Sequence, residues 1–402
     1  MDGPYQTMKI LILTSRFPYP PLSGDRIRIF HFIRELSRFH QVSLLSCTDK
    51  KILAPEINAL APYLTECELI FQSRLKSWIN CIKGLFSKKP LQVHYYRSSH
   101  YKNKMQAMCL NTHYDVLLCH LLRTAEYAKY VQVDRKILDL TDALSLNYAR
   151  LLKSKTGLLI APKKWLQMFE HSRIRDYENK IAKQFDYTLL ISDIDKNFLK
   201  RRIKYDSFKI VPAAVDTKYF TFSNYDYDPF NIIFTGKMNT VPNSDAILYF
   251  ANKILPLIRK EIPQTMLSIV GIEPPTAVKL LSANNNIQVT GKVADIRTPL
   301  RNAAVSICPM RLGAGSKNKV IESMAIGTPV VSTSIGVEGL GLNSNDGVAI
   351  KDTAEEFAEE IISLLRDRKK REYQIKRARR TVEVRFTLEK AIEPLLEILK
   401  LE

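Results

Sequence analysis

The stretch Arg311–Ser332, RLGAGSKNKVIESMAIGTPVVS, decides how the chain is read. It follows the apolar VSICPM, which ends a strand, and runs into TPVVSTS, which supplies another. Between them Val320, Ile321, Met324 and Ala325 fall at helical spacing. Gly327 stands where a C-cap glycine belongs, and Pro329 stops any continuation. Strand, helix, strand in this order builds a parallel sheet. Gly313 and Gly315 allow backbone conformations barred to other residues. Ser316 is the expected N-cap of a helix starting near Lys317. Such a helix turns its amino end toward the ligand side of the sheet, where free N–H groups and the dipole favour an anion. Lys317 and Lys319 add charge at its first turn. Glu322 follows one to two turns in, and a carboxylate accepts two hydroxyl hydrogen bonds at once, which suits a sugar diol. The same spacing permits a plainer reading, with the glycines serving a tight turn and Glu322 pairing with Lys319. No G-x-x-x-x-G-K-[ST] occurs, so the segment is not a P-loop.

Outward from this stretch the pattern repeats. FNIIFTGKMNT is an apolar strand ending in a turn at Gly236, and Lys237 after it points toward the same crevice as the 311–317 loop. TMLSIVG, IQVTGKV and GVAI supply further strands. Near the start, Lys9–Leu13 reads as a buried parallel strand. A loop with three prolines and Gly24 follows, and then Ile27, Phe30, Ile33 and Leu36 repeat at helical spacing. QVSLLS, YDVLLCHLL, RKILDLTDA and DYTLLIS continue as strands, with a charged helical stretch around 160–184. The expected fold is α/β: two doubly wound domains, 1–215 and 230–385, with a helical end at 386–402.

A chain of 402 residues with 46% hydrophobic and 25% charged residues suits two globular domains. No apolar run approaches a membrane span, and no signal peptide is evident. Six scattered cysteines without a CxxC suit reduced thiols in a cytoplasmic protein. The net charge of +19 is uneven. Residues 1–222 hold 36 Lys+Arg against 20 Asp+Glu, while 223–402 hold 24 against 21. The basic first half points to an anionic partner.

FTGKMNTVPNSDAI, VTGKVADIRTPLRNAAVSICPM with the stretch that follows it, and LISDIDKNFLKRRIKYDSFKIVPAAVDTKYF resemble glycosyltransferase family 4. ILTSRFPYPPLSGDRIRIFHFIREL resembles the start of its bacterial polysaccharide-biosynthesis branch. The resemblance implies the GT-B fold, two Rossmann-like domains facing a cleft with the C-terminal helix returning to the first. It implies retaining, metal-independent transfer from a UDP- or GDP-sugar to a lipid-linked or glycan acceptor, with no cofactor. Glu322 matches the second glutamate of the family's E-x7-E motif, which binds the nucleotide ribose. Ala314 stands where the first glutamate would be. Lys237, after Gly236, matches the basic residue on the diphosphate. The family's second basic residue there has no evident match, and Lys317 or Lys319 stands in for it. With Gly313, Gly315 and Ser316 these make the donor site. The acceptor loop corresponds to Ser23, Gly24, Asp25 and Arg26, with Arg16 beside it. The family's histidine near the reaction centre maps to Thr141 or Asp142, and Asp142 is taken as the catalytic candidate with Lys237.

Other patterns were weighed. Asp193-Ile194-Asp195 is a DxD, but it sits where a helix starts and reads as capping. No histidine pair has metal-ligand spacing, so no metal is expected. SRLKSWINCIKGLFSKKP, residues 73–90, sets Leu75, Trp78, Ile79, Ile82, Leu85 and Phe86 among lysines. It is either an interfacial amphipathic helix or a core-facing helix with a basic outer side. With the basic first half it points to docking on an anionic membrane, at the inner face of the cell membrane. A nucleotide-sugar epimerase of related fold and a non-catalytic GT-B partner are the alternatives. No stacking motif or zinc finger speaks for nucleic acid.

Overall fold

The computed structural model describes residues 6–153, 161–222, 226–313 and 315–400. Ala314, where relatives carry the first glutamate, lies outside the described residues. The chain forms two compact units. One runs to Val211 and takes up the chain again from Ile392, and the other contains Pro212–Ala391.

The first unit is built on seven parallel strands: β1 (Lys9–Thr14), β2 (Gln41–Thr48), β3 (Glu66–Phe71), β4 (Val116–His120), β5 (Arg135–Thr141), β6 (Tyr187–Leu190) and β7 (Phe208–Ile210). Their order is β3-β2-β1-β4-β5-β6-β7. The central strands are buried on both faces, which is why they read as unbroken apolar runs. Ile10, Ile12, Leu44, Leu118 and Ile137 form one core with Ile29, Phe32, Ile33 and Leu36 of the helix Gly24–Leu36. Helix Leu388–Lys400 completes this core with Ile392, Leu395, Leu396, Ile398 and Leu399.

Two features of that first helix differ from the sequence reading. Its buried stripe includes Arg28, while Ile27 and Phe30 are only half-buried. An arginine is admitted because a carboxylate meets it inside, as described below. Ser23 takes the N-cap position, and Gly24, Asp25 and Arg26 form the first helical turn rather than a free loop. The Ser23 Oγ donates to Asp25 Oδ1 at 2.6 Å, tying the entry turn to the helix.

The second unit carries six parallel strands: β8 (Asp228–Thr235), β9 (Met266–Val270), β10 (Ile287–Gly291), β11 (Ala303–Cys308), β12 (Val330–Ser332) and β13 (Val348–Ile350). Their order, β10-β9-β8-β11-β12-β13, is the doubly wound order of a dinucleotide-binding sheet. In each sheet the winding reverses beside the first strand, between β1 and β4 and between β8 and β11. Open α/β sheets bind ligands outside the carboxyl ends of the strands at that reversal. The topology therefore selects Thr14–Arg16 with His120 in one unit, and Thr235–Lys237 with Cys308–Arg311 in the other.

Candidate functional site

In the second unit, β11 runs out at Cys308 and the chain turns through Gly313 (φ 102°) and Gly315 (φ 71°) into the helix Asn318–Ile326. These left-handed values are why glycine is required there. Lys317, not Ser316, occupies the N-cap, and its side chain supplies no cap. Instead its ammonium donates to the Gly315 carbonyl at 2.8 Å. The first N–H groups of the helix are thus left without a side-chain cap, which suits an anion. Gly327 closes the helix in the left-handed conformation (φ 97°). Arg311 anchors the loop through two hydrogen bonds to the buried Asp245, at 2.6 and 3.0 Å.

Lys319 reaches from the first turn of this helix to the end of β8. Its ammonium lies over the Phe234 ring at 3.8 Å and donates to Asn243 Oδ1 at 2.9 Å. Asn243 Nδ2 in turn donates to the Lys237 carbonyl at 2.9 Å. A Cβ on Gly236 (φ 154°) would sit 2.9 Å from Asn243 Nδ2 and 3.0 Å from the Lys319 ammonium. So Gly236 and Lys319, 83 positions apart in the sequence, are brought into contact by Asn243. The loops beside them are equally close. A Cβ on Gly271 would lie 1.7 Å from the Gly236 carbonyl oxygen, and the Gly236 and Gly271 N–H groups donate to Val270 and Gly291.

Lys237 behaves differently from Lys319. Its ammonium is turned to Glu273, 3.1 Å away. Glu322 and Lys319 do not form the ion pair that the plainer sequence reading allowed. Among the described residues the Glu322 carboxylate takes no hydrogen bond and no ion pair. Burial pushes its pKa up to about 7, with Lys319 only partly opposing. Burial drives Lys319 down to about 8, Lys317 adding to the effect and Glu322 opposing it. A carboxylate without a partner close to a lysine whose charge burial disfavours marks a candidate binding site.

At the reversal of the first sheet stands a buried network. Arg28 grips Asp139 with Nε (3.0 Å) and Nη2 (2.9 Å), and its Nη1 donates to the Val211 carbonyl at 2.8 Å. Asp139 also meets His120 Nδ1 at 2.9 Å, across the register that pairs His120 with Asp139. The other ring nitrogen faces the Asp25 carbonyl at 3.1 Å. Both partners are acceptors, so each ring nitrogen faces an oxygen. Burial would raise the Asp139 pKa, but Arg28 and His120 outweigh it and hold it at about 2. Asp25 is likewise held at about 2 against burial, by Arg16, Ser23, His120 and Arg123. Arg16 Nη2 lies 2.6 Å from Asp25.

His120 is the residue that the sequence reading passed over. It was visible as a polar residue closing the buried strand YDVLLCHLL. Asp142 and Thr141 stand one strand away, at the end of β5, rather than at the reversal. Asn147 Nδ2 donates to Asp142 at 2.6 Å. Thr141 has φ 70°, an outlier for a β-branched residue, and its buried hydroxyl has no partner among the described residues. Leu121, just past β4, also has a positive φ, 68°. Beside this network, an open pocket lies at the carboxyl ends of β1, β2 and β3. Arg16, Tyr19, Arg26, Lys50, Gln72 and Tyr95 stand in its walls. Arg26 Nε and Gln72 Oε1 are buried there without partners among the described residues.

Two other polar clusters belong elsewhere. In the DxD sequence, Ser192 is the helix N-cap, and Asp195 accepts from the Ala143 N–H at 2.9 Å. His113, Asp115 and Asp134 could together hold a metal ion, but they lie at the amino ends of β4 and β5, away from both reversals.

Residues 229–367 match the family model described as Glycosyl transferases group 1. An uncharacterized 44.6 kDa protein in the cps region of Klebsiella pneumoniae is 25% identical over 368 residues, which take in 88% of this chain and 90% of the relative. Among solved structures, sucrose-phosphate synthase from Thermosynechococcus elongatus superposes with a TM-score of 0.70 at 14% identity, covering 97% of this chain and 98% of that one. TarM of S. aureus gives 0.72 at 10% identity over all of both chains. Anabaena HepE, in complex with UDP-glucose, gives 0.67 at 13% identity, covering 98% and 99%. The family match and the shared two-unit parallel-sheet architecture support a glycosyltransferase with the GT-B fold.

Proposed function

We propose that the chain moves a sugar from a nucleotide-diphosphate sugar, a UDP- or GDP-sugar, to a lipid-linked or glycan acceptor, with retention at the anomeric carbon. The observation that carries this reading is the gathering at the second sheet's reversal: Lys319, the Gly236 turn and the uncapped start of the 318–326 helix, with Glu322 uncommitted one turn on. The diphosphate lies on that helix start and on Lys319, with Lys317 and the backbone of Gly313, Gly315 and Ser316 around it. Glu322 accepts both ribose hydroxyls. Lys237 leaves Glu273 for the phosphate when the donor binds.

The bond from the anomeric carbon to the diphosphate oxygen breaks early, through an oxocarbenium-like state. Charge builds on the leaving diphosphate, and the lysines and N–H groups stabilise it where it forms. The acceptor hydroxyl attacks from the same face, and its proton passes to the leaving diphosphate oxygen. The first unit supplies the acceptor's surroundings. Arg16 and Arg26 line its pocket, Asp25 holds Arg16 there, and His120 is fixed by Asp139 at the reversal of its sheet. Asp142, one strand over, is left as a positioning residue. The relative from a cps region supports a role in cell-surface polysaccharide synthesis.

Calorimetry with UDP and GDP, then with their sugars, tests the site. Glu322→Ala and Lys319→Met should each weaken nucleotide binding by roughly tenfold or more, the loss of one charge-assisted contact. Unchanged affinity in both would remove the site from this place. Incubation of a nucleotide sugar without acceptor should return no epimer, and NMR of the product should show the donor's anomeric configuration.

A further inference from the structure

The helix Arg74–Gly84 is inside out for a globular protein. Its inward face is made of small residues, Ser77, Cys81 and Gly84. Gly84 packs so tightly that a Cβ there would meet the His94 ring at 2.6 Å. The large apolar residues stand on the opposite stripe, in solvent. Leu75 is 72% exposed, Ile82 62% and, just past the helix, Phe86 96%. This settles the choice left by the sequence, because the apolar face does not look into the core.

A second helix extends the patch. Arg173, on helix Ala161–Ala182, donates to the Gly84 and Leu85 carbonyls and stacks over Phe169 at 3.9 Å. That fixes Phe169 beside the end of the first helix. Trp165, one turn earlier, is 73% exposed, with Leu166 and Met168 exposed next to it. An exposed surface of this composition marks an interaction site.

Charge identifies what covers it. Residues 73–90 contain five basic residues and no acidic one. Lys76, Lys83 and Lys88 are exposed and alternate along the chain with the apolar residues. Aromatic and aliphatic side chains ringed by lysines, on a helix too short and too polar to cross a bilayer, fit an anionic lipid surface. Among the described residues, no helix is long and apolar enough to span one. The patch also borders the first unit's pocket, for Trp78 packs edge-on against Tyr95 of its wall, with ring centroids 5.9 Å apart.

We propose that the first unit docks on an anionic bilayer through the outward faces of these two helices, which sets the mouth of the acceptor pocket at the lipid surface. Only the purpose of the docking rests on the acceptor reading above; the surface itself does not.

The chain offers its own probe, since its two tryptophans, Trp78 and Trp165, both stand in the patch. The full chain is mixed with vesicles of phosphatidylcholine alone or with phosphatidylglycerol added. Binding to the anionic vesicles should shift tryptophan emission to the blue, and acyl chains brominated near the headgroup should quench it. Ile82→Glu/Phe86→Glu, at exposed positions that leave both tryptophans in place, should lower partitioning by roughly tenfold or more. Lys76→Gln/Lys83→Gln/Lys88→Gln should lose most of the preference for anionic vesicles. All variants should bind UDP as the wild type does, so a failure of docking is separable from a failure of the glycosyl-transfer reading. Sedimentation with vesicles without quenching would overturn the proposal, as would equal partitioning by the Glu variant. So would a wild-type dimer in solution that this variant dissociates, which would make the patch a protein interface.

Discussion

Glu322→Gln tests the electrostatics and the chemistry of the donor site at once. Burial pushes the Glu322 carboxyl from 4.5 to about 7. Between those values the folded protein keeps a proton that the unfolded chain has released. Stability therefore falls as pH rises through this window, is unaffected below it, and stays at its full deficit above it. A shift of that size corresponds to at most about 3 kcal/mol at 1.36 kcal/mol per unit. Glu322 keeps some contact with water, so a range of roughly 1–3 kcal/mol is the working figure. Glutamine has the same shape and no charge to desolvate, so it relieves the deficit only where wild type carries it. At about 2–4 °C per kcal/mol for a unit of this size, the variant should melt roughly 2–12 °C higher than wild type at pH 8, and level with it near pH 4.5. Scanning calorimetry across this pH range, with and without UDP, reads both ends. The same substitution removes the anionic acceptor for the ribose hydroxyls, so the stabilised variant should gain less from UDP than wild type does. A melting difference independent of pH would refute the assignment of a buried, uncommitted carboxylate. A variant stabilised by UDP as strongly as wild type would refute the ribose contact.

Three other perturbations follow from the same geometry. Asp139→Asn leaves Arg28 buried beside a neutral amide and should cost roughly 3–5 kcal/mol in urea unfolding, with Arg28→Met/Asp139→Asn losing less than the sum of the single changes. Because Asp139 is held at about 2 in the fold against 3.8, its contribution is present above pH 4 and is lost as pH falls toward 2, so wild type and Asp139→Asn should converge in acid. Gly236→Ala places a methyl against Asn243 and the Lys319 ammonium, and calorimetry should show roughly tenfold weaker UDP binding with the first unit's melting unchanged. Thr141→Gly releases a strained φ, so it should raise stability by about 1 kcal/mol; the reading of strain held for function requires turnover to fall at the same time.

Much of this architecture was legible because buried parallel strands declare themselves as apolar runs. β1, β2, β4 and β11 could be read that way, and so could the 318–326 helix with its closing glycine. β3, ECELIF, is only half-buried at the sheet edge, and its alternating charges hid it. The amphipathic spacing in 24–36 found Ile33 and Leu36 on the buried face but missed Arg28, Ile29 and Phe32. Arg28 cannot be placed inside without knowing that Asp139, 111 positions on, waits for it. The residues proposed for the donor site stood out in the sequence, and the connections between them did not. Asn243, the bridge between Lys319 and the Gly236 turn, is an ordinary polar residue in MNTVPN until the sheet brings it round. Ser316 looked like a cap because serine usually caps; the turn through Gly315 moves the helix start one residue on. The 73–90 helix shows the limit most plainly, since spacing gives a stripe but not the direction in which it faces.

The contact between Gly236 and Gly271 bears on how this protein could be re-engineered. The turns after β8 and β9 meet backbone to backbone, and the second is stitched to Gly291 at the end of β10. There is no side-chain layer between them to absorb a change. A loop transplanted after β8 alone would arrive against a neighbour shaped for its predecessor. Redesigning this rim therefore calls for exchanging 236–239, 271–273 and the residues around 291 as one cassette, and libraries that vary a single turn should yield mostly misfolded chains.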